Sequence, residues 1–127
     1  MKNINSILIK GFHSTNLILI IFYLYPGSIF GYVFYNDISI QPQITKDFLI
    51  SSNHFYVFIV LSTVGILAYR NNKKINFLIS YLFLLSIALE FFHMFIPNRG
   101  FELSDLFGNI TGVIVVFVVY KIKKKYE

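Results

Sequence analysis

The apolar residues of this chain lie in long uninterrupted runs rather than in an alternating pattern. The first run, Leu17 to Tyr35, contains no charged residue. The second extends from Ser52 to Tyr69 and ends at Arg70. The third, Ile75 to Ile96, stops at Pro97 and carries Glu90 and His93 within it. The fourth, Asp105 to Tyr120, stops at Lys121. A helix needs about 20 predominantly apolar residues to cross a hydrocarbon core of ~30 Å. The runs therefore predict an all-α, polytopic membrane fold: four transmembrane helices in one domain covering residues 1–127. Pro26 is expected to kink the first span near its middle, because it has no N–H for the helix ladder. Gly27 and Gly31, and again Gly108 and Gly112, stand at i,i+4 spacing, which makes small-residue faces where another helix can approach closely. The fourth run is short for a full crossing, so it is expected either to tilt little or to have its flanking lysines snorkel.

Composition supports a bilayer as the solvent. Hydrophobic residues make up 56% of the chain, charged residues only 13%, and mean hydropathy is +0.66. A soluble domain carries about 25% charged residues, and one this small has no way to hide so much apolar surface from water. Low hydrophobicity, the mark of disorder, is absent. There is no Cys, which excludes disulfides and thiolate chemistry, and no Trp, which leaves Tyr and Phe to form any interfacial belt. Lys10 and His13 interrupt the first apolar stretch and no Ala-x-Ala pattern follows, so the first long run is read as retained rather than as a cleaved signal.

The net charge of +5 raises the question of nucleic acid, but its placement answers it. With both termini on the cytoplasmic side, nine of the 11 basic residues fall there: Lys2, Lys10, the Arg70–Lys74 connection and the lysine tail. Only Lys46 and Arg99 fall outside. This is the positive-inside pattern, and it predicts an N-in, C-in topology with the lipid bilayer, not nucleic acid, as partner.

In that topology the intramembrane polar residues converge. Glu90 lies six residues from the outer end of its span, about 9 Å deep at the helical rise. His93 is i+3 from Glu90, and Asn109 is i+4 from Asp105, each pair on one helix face. His54 opens the second span and Asp105 the fourth, both at the outer surface. Arg99 lies in the short outer loop, where Pro97 turns the chain so that Arg99 can fold back and pair with a carboxylate. Ser104 suits the N-cap of the fourth span. Gly108 and Gly112 are expected to bring Asp105 and Asn109 toward Glu90. One outer-leaflet pocket is thus expected to gather His54, Glu90, His93, Arg99, Asp105 and Asn109. Buried ionisable groups in a membrane are costly and mark function by default, against the alternative of a packing network.

The stretch from Glu90 to Gly112 resembles the signature of the VanZ-like family, small bacterial membrane proteins whose namesake is associated with teicoplanin resistance. The family pattern resembles E-x-x-Q, P-x-R, then D-x-x-x-N-x-x-G. Glu90, Pro97, Arg99, Asp105, Asn109 and Gly112 fit it in register, and Asn53-His54-Phe55 resembles the family's upstream His-Phe. The resemblance covers roughly residues 50 to 120. His93 departs from it, standing where the family usually has Gln; His also titrates. The resemblance implies a multi-pass protein of the bacterial plasma membrane and cell envelope, with a lipid-linked or glycopeptide-related ligand held at the outer pocket.

An alternative is an enzyme acting on an envelope lipid or polymer precursor. His54 or His93 would be the base, Glu90 or Asp105 its orienting carboxylate, and Ser51, Ser52 or Ser104 the nearby hydroxyls. No compact His-x-x-x-His spacing is present, so neither a metal nor another cofactor is expected. Neither the ligand nor the oligomeric state is legible at this level.

Overall fold

A computed structural model of the chain describes residues 2–126. Helix α1 spans Lys2–Leu24, α2 Ile29–Tyr35, α3 Ser52–Tyr69, α4 Ile75–Phe92 and α5 Leu103–Tyr126, and a single 3₁₀ turn, His93–Phe95, extends α4. No strand occurs among the described residues. Four helices are long and apolar enough to cross a membrane: Ile4–Leu24, Ser52–Tyr69, Ile75–Phe95 and Leu103–Tyr126. Their outward side chains suit lipid: Phe77 is 74% and Leu84 69% exposed within the single chain.

The first span differs from the sequence reading. Its helix starts near the N-terminus, takes in Lys10 and His13, and ends at Leu24, so Pro26 stops it rather than kinking it. The residue before a proline is pushed out of the α region, and Gly27 then turns the chain at φ 104°. Ser28 starts the short α2, its Oγ accepting from the Gly31 N–H at 2.9 Å. Gly27 and Gly31 do not face another helix. A Cβ on Gly31 would strike the carbonyl of Ile40, and one on Gly27 that of Ile38, so both glycines admit the chain's own following loop.

That loop, residues 36–51, is built by its polar side chains. Asp37 accepts from the Ser39 N–H and hydroxyl, which holds its carboxyl below the usual carboxylate range. Asn53 accepts from the Ile44 N–H and donates to the Pro42 carbonyl, pinning the loop to α3.

Helix α3 is the central element and packs against α1, α4 and α5. Its Phe58 and Leu61 are fully buried, together with Leu82 of α4 and Val113 of α5. Gly65 leaves room for the Phe12 ring of α1. Beside Phe12, midway along α1, His13 Nε2 lies 3.2 Å from the hydroxyl of Tyr69 at the end of α3, so the first half of α1 lies toward the bundle end that holds Arg70 and the lysine tail. Helix α5 runs through Lys121 to Tyr126 and is longer than the apolar run alone suggested. It begins at Leu103, which puts Ser104 inside its first turn rather than at its cap.

Candidate functional site

Opposite the lysine-rich end, the starts of α3 and α5 are tied together. The Ser51 N–H donates to the Ser104 carbonyl at 3.0 Å, and Asp47 Oδ1 accepts from the Ser52 N–H at 2.7 Å. Gly108 and Gly112 of α5 lie directly against α3, facing the Ser51 carbonyl and the Phe55 carbonyl. The glycine face thus meets α3, and the close approach sets His54, in the first turn of α3, against the first two turns of α5. His54 Nε2 stands 3.3 Å from Asp105 Oδ2. On the other side of the ring, Nδ1 lies 3.1 Å from Asn109 Oδ1 and 3.2 Å from the Tyr23 hydroxyl.

The proton on His54 follows from its neighbours. Asn109 Nδ2 donates to the Ser86 carbonyl at 3.1 Å, so Oδ1 is the end turned to the histidine. Tyr23 donates its own proton to that oxygen at 2.7 Å. Oδ1 only accepts, so His54 carries a proton on Nδ1. Nε2 is left facing Asp105, with a lone pair in the neutral ring and a proton in the charged one.

Glu90, in the last turn of α4, is fully buried. Its Oε1 accepts from the Glu102 N–H at 2.9 Å. Its Oε2 lies 3.2 Å from His93 Nδ1 and 3.9 Å from His54 Nδ1, yet takes no well-aligned hydrogen bond among the described residues. His93 donates from Nε2 to the Tyr23 carbonyl at 3.1 Å and stacks on the Tyr23 ring at 5.5 Å. Each histidine therefore gives one N–H to an uncharged oxygen and turns its other nitrogen to a carboxylate.

Arg99 behaves differently from the sequence expectation. No carboxylate lies within ion-pair distance of it among the described residues. Pro97 and the left-handed Asn98 (φ 59°) do fold it back, but onto the end of α1. Nη2 donates to the Phe22 and Gly27 carbonyls at 3.1 and 2.7 Å, and Nε to the Tyr25 carbonyl at 3.3 Å. The last carbonyls of a helix have no intrahelical partner and sit at its negative end, which suits a guanidinium fork. Burial draws the Arg99 pKa down from the ordinary arginine range, and an arginine stays protonated in a protein regardless.

Two adjoining spaces open from this cluster. One is a polar cavity of about 320 Å³, whose lining includes His54, His93, Arg99 and Asp105. Glu90 and Asn109 lie behind that wall, both fully buried. The other is an apolar cleft of about 150 Å³ lined by Phe22, Ile29, Phe30 and Val57 among others. Ser28, Gln41, Asn53, His54 and Arg99 border both. Ser51 also lines the polar cavity, whereas Ser52 donates its hydroxyl to the Thr45 carbonyl.

Five of the six residues singled out in the sequence, His54, Glu90, His93, Asp105 and Asn109, thus form one cluster, and Arg99 borders the same cavity. Tyr23 was missed. It is buried, bonds two cluster members and stacks on a third, but in the sequence it is one of nine tyrosines in an apolar chain. The only available signal was generic: a buried Tyr hydroxyl usually finds a partner.

No curated protein and no solved structure matches the chain. The VanZ/LLP1 family profile matches residues 4–124, nearly the whole length, and so includes α1 and its Tyr23. With four helices able to span a bilayer and the buried cluster built on the E-x-x-H, P-x-R and D-x-x-x-N-x-x-G residues, the chain belongs to the VanZ/LLP1 family of VanZ-like proteins.

Proposed function

We propose that this protein is a plasma-membrane protein of the bacterial cell envelope that holds a lipid-linked envelope molecule at its outer face and thereby contributes to teicoplanin tolerance. The observation that carries the reading is the junction of the polar cavity with the apolar cleft across His54, Arg99 and Gln41. An amphiphile needs that combination: the cleft takes acyl or prenyl chain and the cavity takes the headgroup. The outward orientation rests on the charge bias, since the basic residues gather at the far end of the bundle.

Gln41 gives a clean test, because it borders both spaces and is exposed. Gln41→Trp is expected to fill the junction without touching the buried cluster. Purified wild type in nanodiscs should bind a polyprenyl-phosphate lipid saturably, and Gln41→Trp should bind it at least about tenfold more weakly, the loss of ~1.4 kcal/mol. Cells with wild-type protein should tolerate more teicoplanin than cells with Gln41→Trp at equal membrane levels. Equal lipid binding by the two proteins refutes the pocket, and equal susceptibility refutes the resistance role.

A second reading, an enzyme of envelope lipid metabolism, is favoured by the two histidine–carboxylate pairs at 3.3 and 3.2 Å. Such a pair suits general acid–base work. Conversion of a bound polyprenyl-phosphate or lipid-linked precursor to product, lost in His54→Gln, would establish it.

A further inference from the structure

We infer that His54, Glu90 and Asp105 form a site for a divalent transition-metal ion of the Zn²⁺ type. One donor atom from each of the three lies within 4.8 Å of the other two. The pocket reading does not require this ion, although the two share a cavity wall.

Charge makes the first argument. Two carboxylates stand in the cluster, Glu90 fully buried and Asp105 partly buried, its side chain 19% exposed. Among the described residues no Lys or Arg pairs with either; the only cationic candidates within 4.0 Å are the two histidines. Arg99 is the nearby cation and acts on both carboxylates from a distance, but its hydrogen bonds go to the carbonyls of Phe22, Tyr25 and Gly27. Buried charges of one sign without a close counter-charge are costly, and a divalent ion balances two carboxylates.

The second argument is the orientation of His54. Its Nδ1–H is committed to oxygen acceptors, so in the neutral ring the Nε2 lone pair points at a carboxylate oxygen 3.3 Å away. Two electron-rich atoms at that distance repel unless something positive lies beside them. A metal-ligating histidine has this arrangement: one nitrogen on the ion, the other donating to a carbonyl or carboxylate that fixes the tautomer. Asn109, itself held by the Ser86 carbonyl, fills that supporting role. The 3.3 Å separation also equals the edge of a tetrahedron with metal–ligand bonds of about 2.0–2.1 Å.

The third argument is Glu90 Oε2, a buried oxygen of a fully buried side chain that takes no well-aligned hydrogen bond among the described residues, its near neighbour being His93 Nδ1 at 3.2 Å. A carboxylate whose other oxygen is anchored by the Glu102 N–H presents this one as a ready ligand. The fourth position would face the polar cavity, to which His54 and Asp105 are both open. Three protein ligands with one open position is the pattern of a site that works on what binds there. The ligands come from three helices, which is why no compact spacing announced them.

The competing source of positive charge is a proton on one or both histidines, and the experiment separates the two. The full chain is purified through a tag without histidine, dialysed against EDTA, then equilibrated with Zn²⁺ alone in detergent, and bound metal is counted after desalting. Wild type should keep about one Zn²⁺ per chain, and its melting temperature should rise on loading. Asp105→Asn and His54→Gln, both near-isosteric, should bind at least about tenfold more weakly. Lys125→Gln, in the last turn of α5 at the opposite end of the bundle, should bind like wild type. Wild type without stoichiometric Zn²⁺, or Asp105→Asn and His54→Gln with unchanged affinity, overturns the proposal. Because either variant could fold poorly, folded protein is selected by size exclusion and the wild-type count stands alone as a test. Polyprenyl-phosphate binding by the EDTA-treated wild type is measured in parallel. Lipid binding without metal binding removes the ion and leaves the pocket; metal binding without lipid binding does the reverse.

Discussion

Replacing Gly112 by alanine tests whether the close contact of α3 and α5 is what assembles the cluster. A Cβ at Gly112 would sit 2.7 Å from the Phe55 carbonyl oxygen and 2.9 Å from the Phe58 Cβ. Neither neighbour is the loose end of a side chain, so neither swings away. Ordinary contact begins near 3.4 Å, so α5 has to retreat by about 0.7 Å at this level. Overpacking of a tight contact costs about 1–3 kcal/mol. The same retreat stretches the His54–Asn109 bond, now 3.1 Å, toward ~3.8 Å, beyond hydrogen-bond range. Losing that buried bond adds about 1 kcal/mol. The total, roughly 2–4 kcal/mol, corresponds to about a 30- to 1,000-fold shift in the folding equilibrium. The assay is reversible unfolding of the purified protein in mixed micelles, with Gly11→Ala alongside. Gly11 lies within α1 and its added Cβ meets nothing within 4 Å, so that change should be neutral or stabilising by up to about 1 kcal/mol. If Gly112→Ala is as stable as Gly11→Ala, the contact does not control the spacing and the reasoning fails.

Other outcomes follow from the same geometry. Tyr23→Phe removes the donor to Asn109 Oδ1 while keeping the ring, and should cost about 1–3 kcal/mol in the same unfolding assay; an unchanged equilibrium would show that the hydroxyl is idle. Arg99→Lys keeps the charge but replaces a planar fork with a point donor, so the three carbonyl bonds at the end of α1 are not all kept; amide exchange should quicken at residues 22–27, and an unchanged exchange pattern would refute the capping role. The chain has no cysteine, so single-cysteine labelling reports orientation directly. Gln43→Cys should react with a membrane-impermeant maleimide in intact cells and Lys125→Cys only after permeabilisation; the reverse pattern would invert the topology.

How much of this was legible in the residue order differs from element to element. Helices α3 and α4 were bounded closely, because Arg70 and Pro97 punctuate long apolar runs. The grouping of His54, Glu90, His93, Asp105 and Asn109 at one bundle end was also legible, since antiparallel spans bring alternate connections to the same surface. The course of the chain around Pro26 was not. Hydropathy read continuously through residues 17–35 and outweighed the local break signals, Gly27 directly after Pro26 and the Ser28 cap. What the sequence did not show is Arg99, 73 residues away, which supplies donors to carbonyls that a continuing helix would have used.

Residue order alone determined that the chain lives in a bilayer, how many times it is able to cross, and which polar residues are rare enough to matter. These follow from solvation, since each apolar run and each charge is priced by the medium residue by residue. Tertiary structure alone decided who pairs with whom: Arg99 with a helix end instead of a carboxylate, Tyr23 with the cluster instead of lipid, and two glycines with α3 instead of α4. Those outcomes depend on distances of a few ångströms between helices, and the hydrogen-bonding chemistry of Arg, Tyr and Asn permits several partners until packing leaves one within reach.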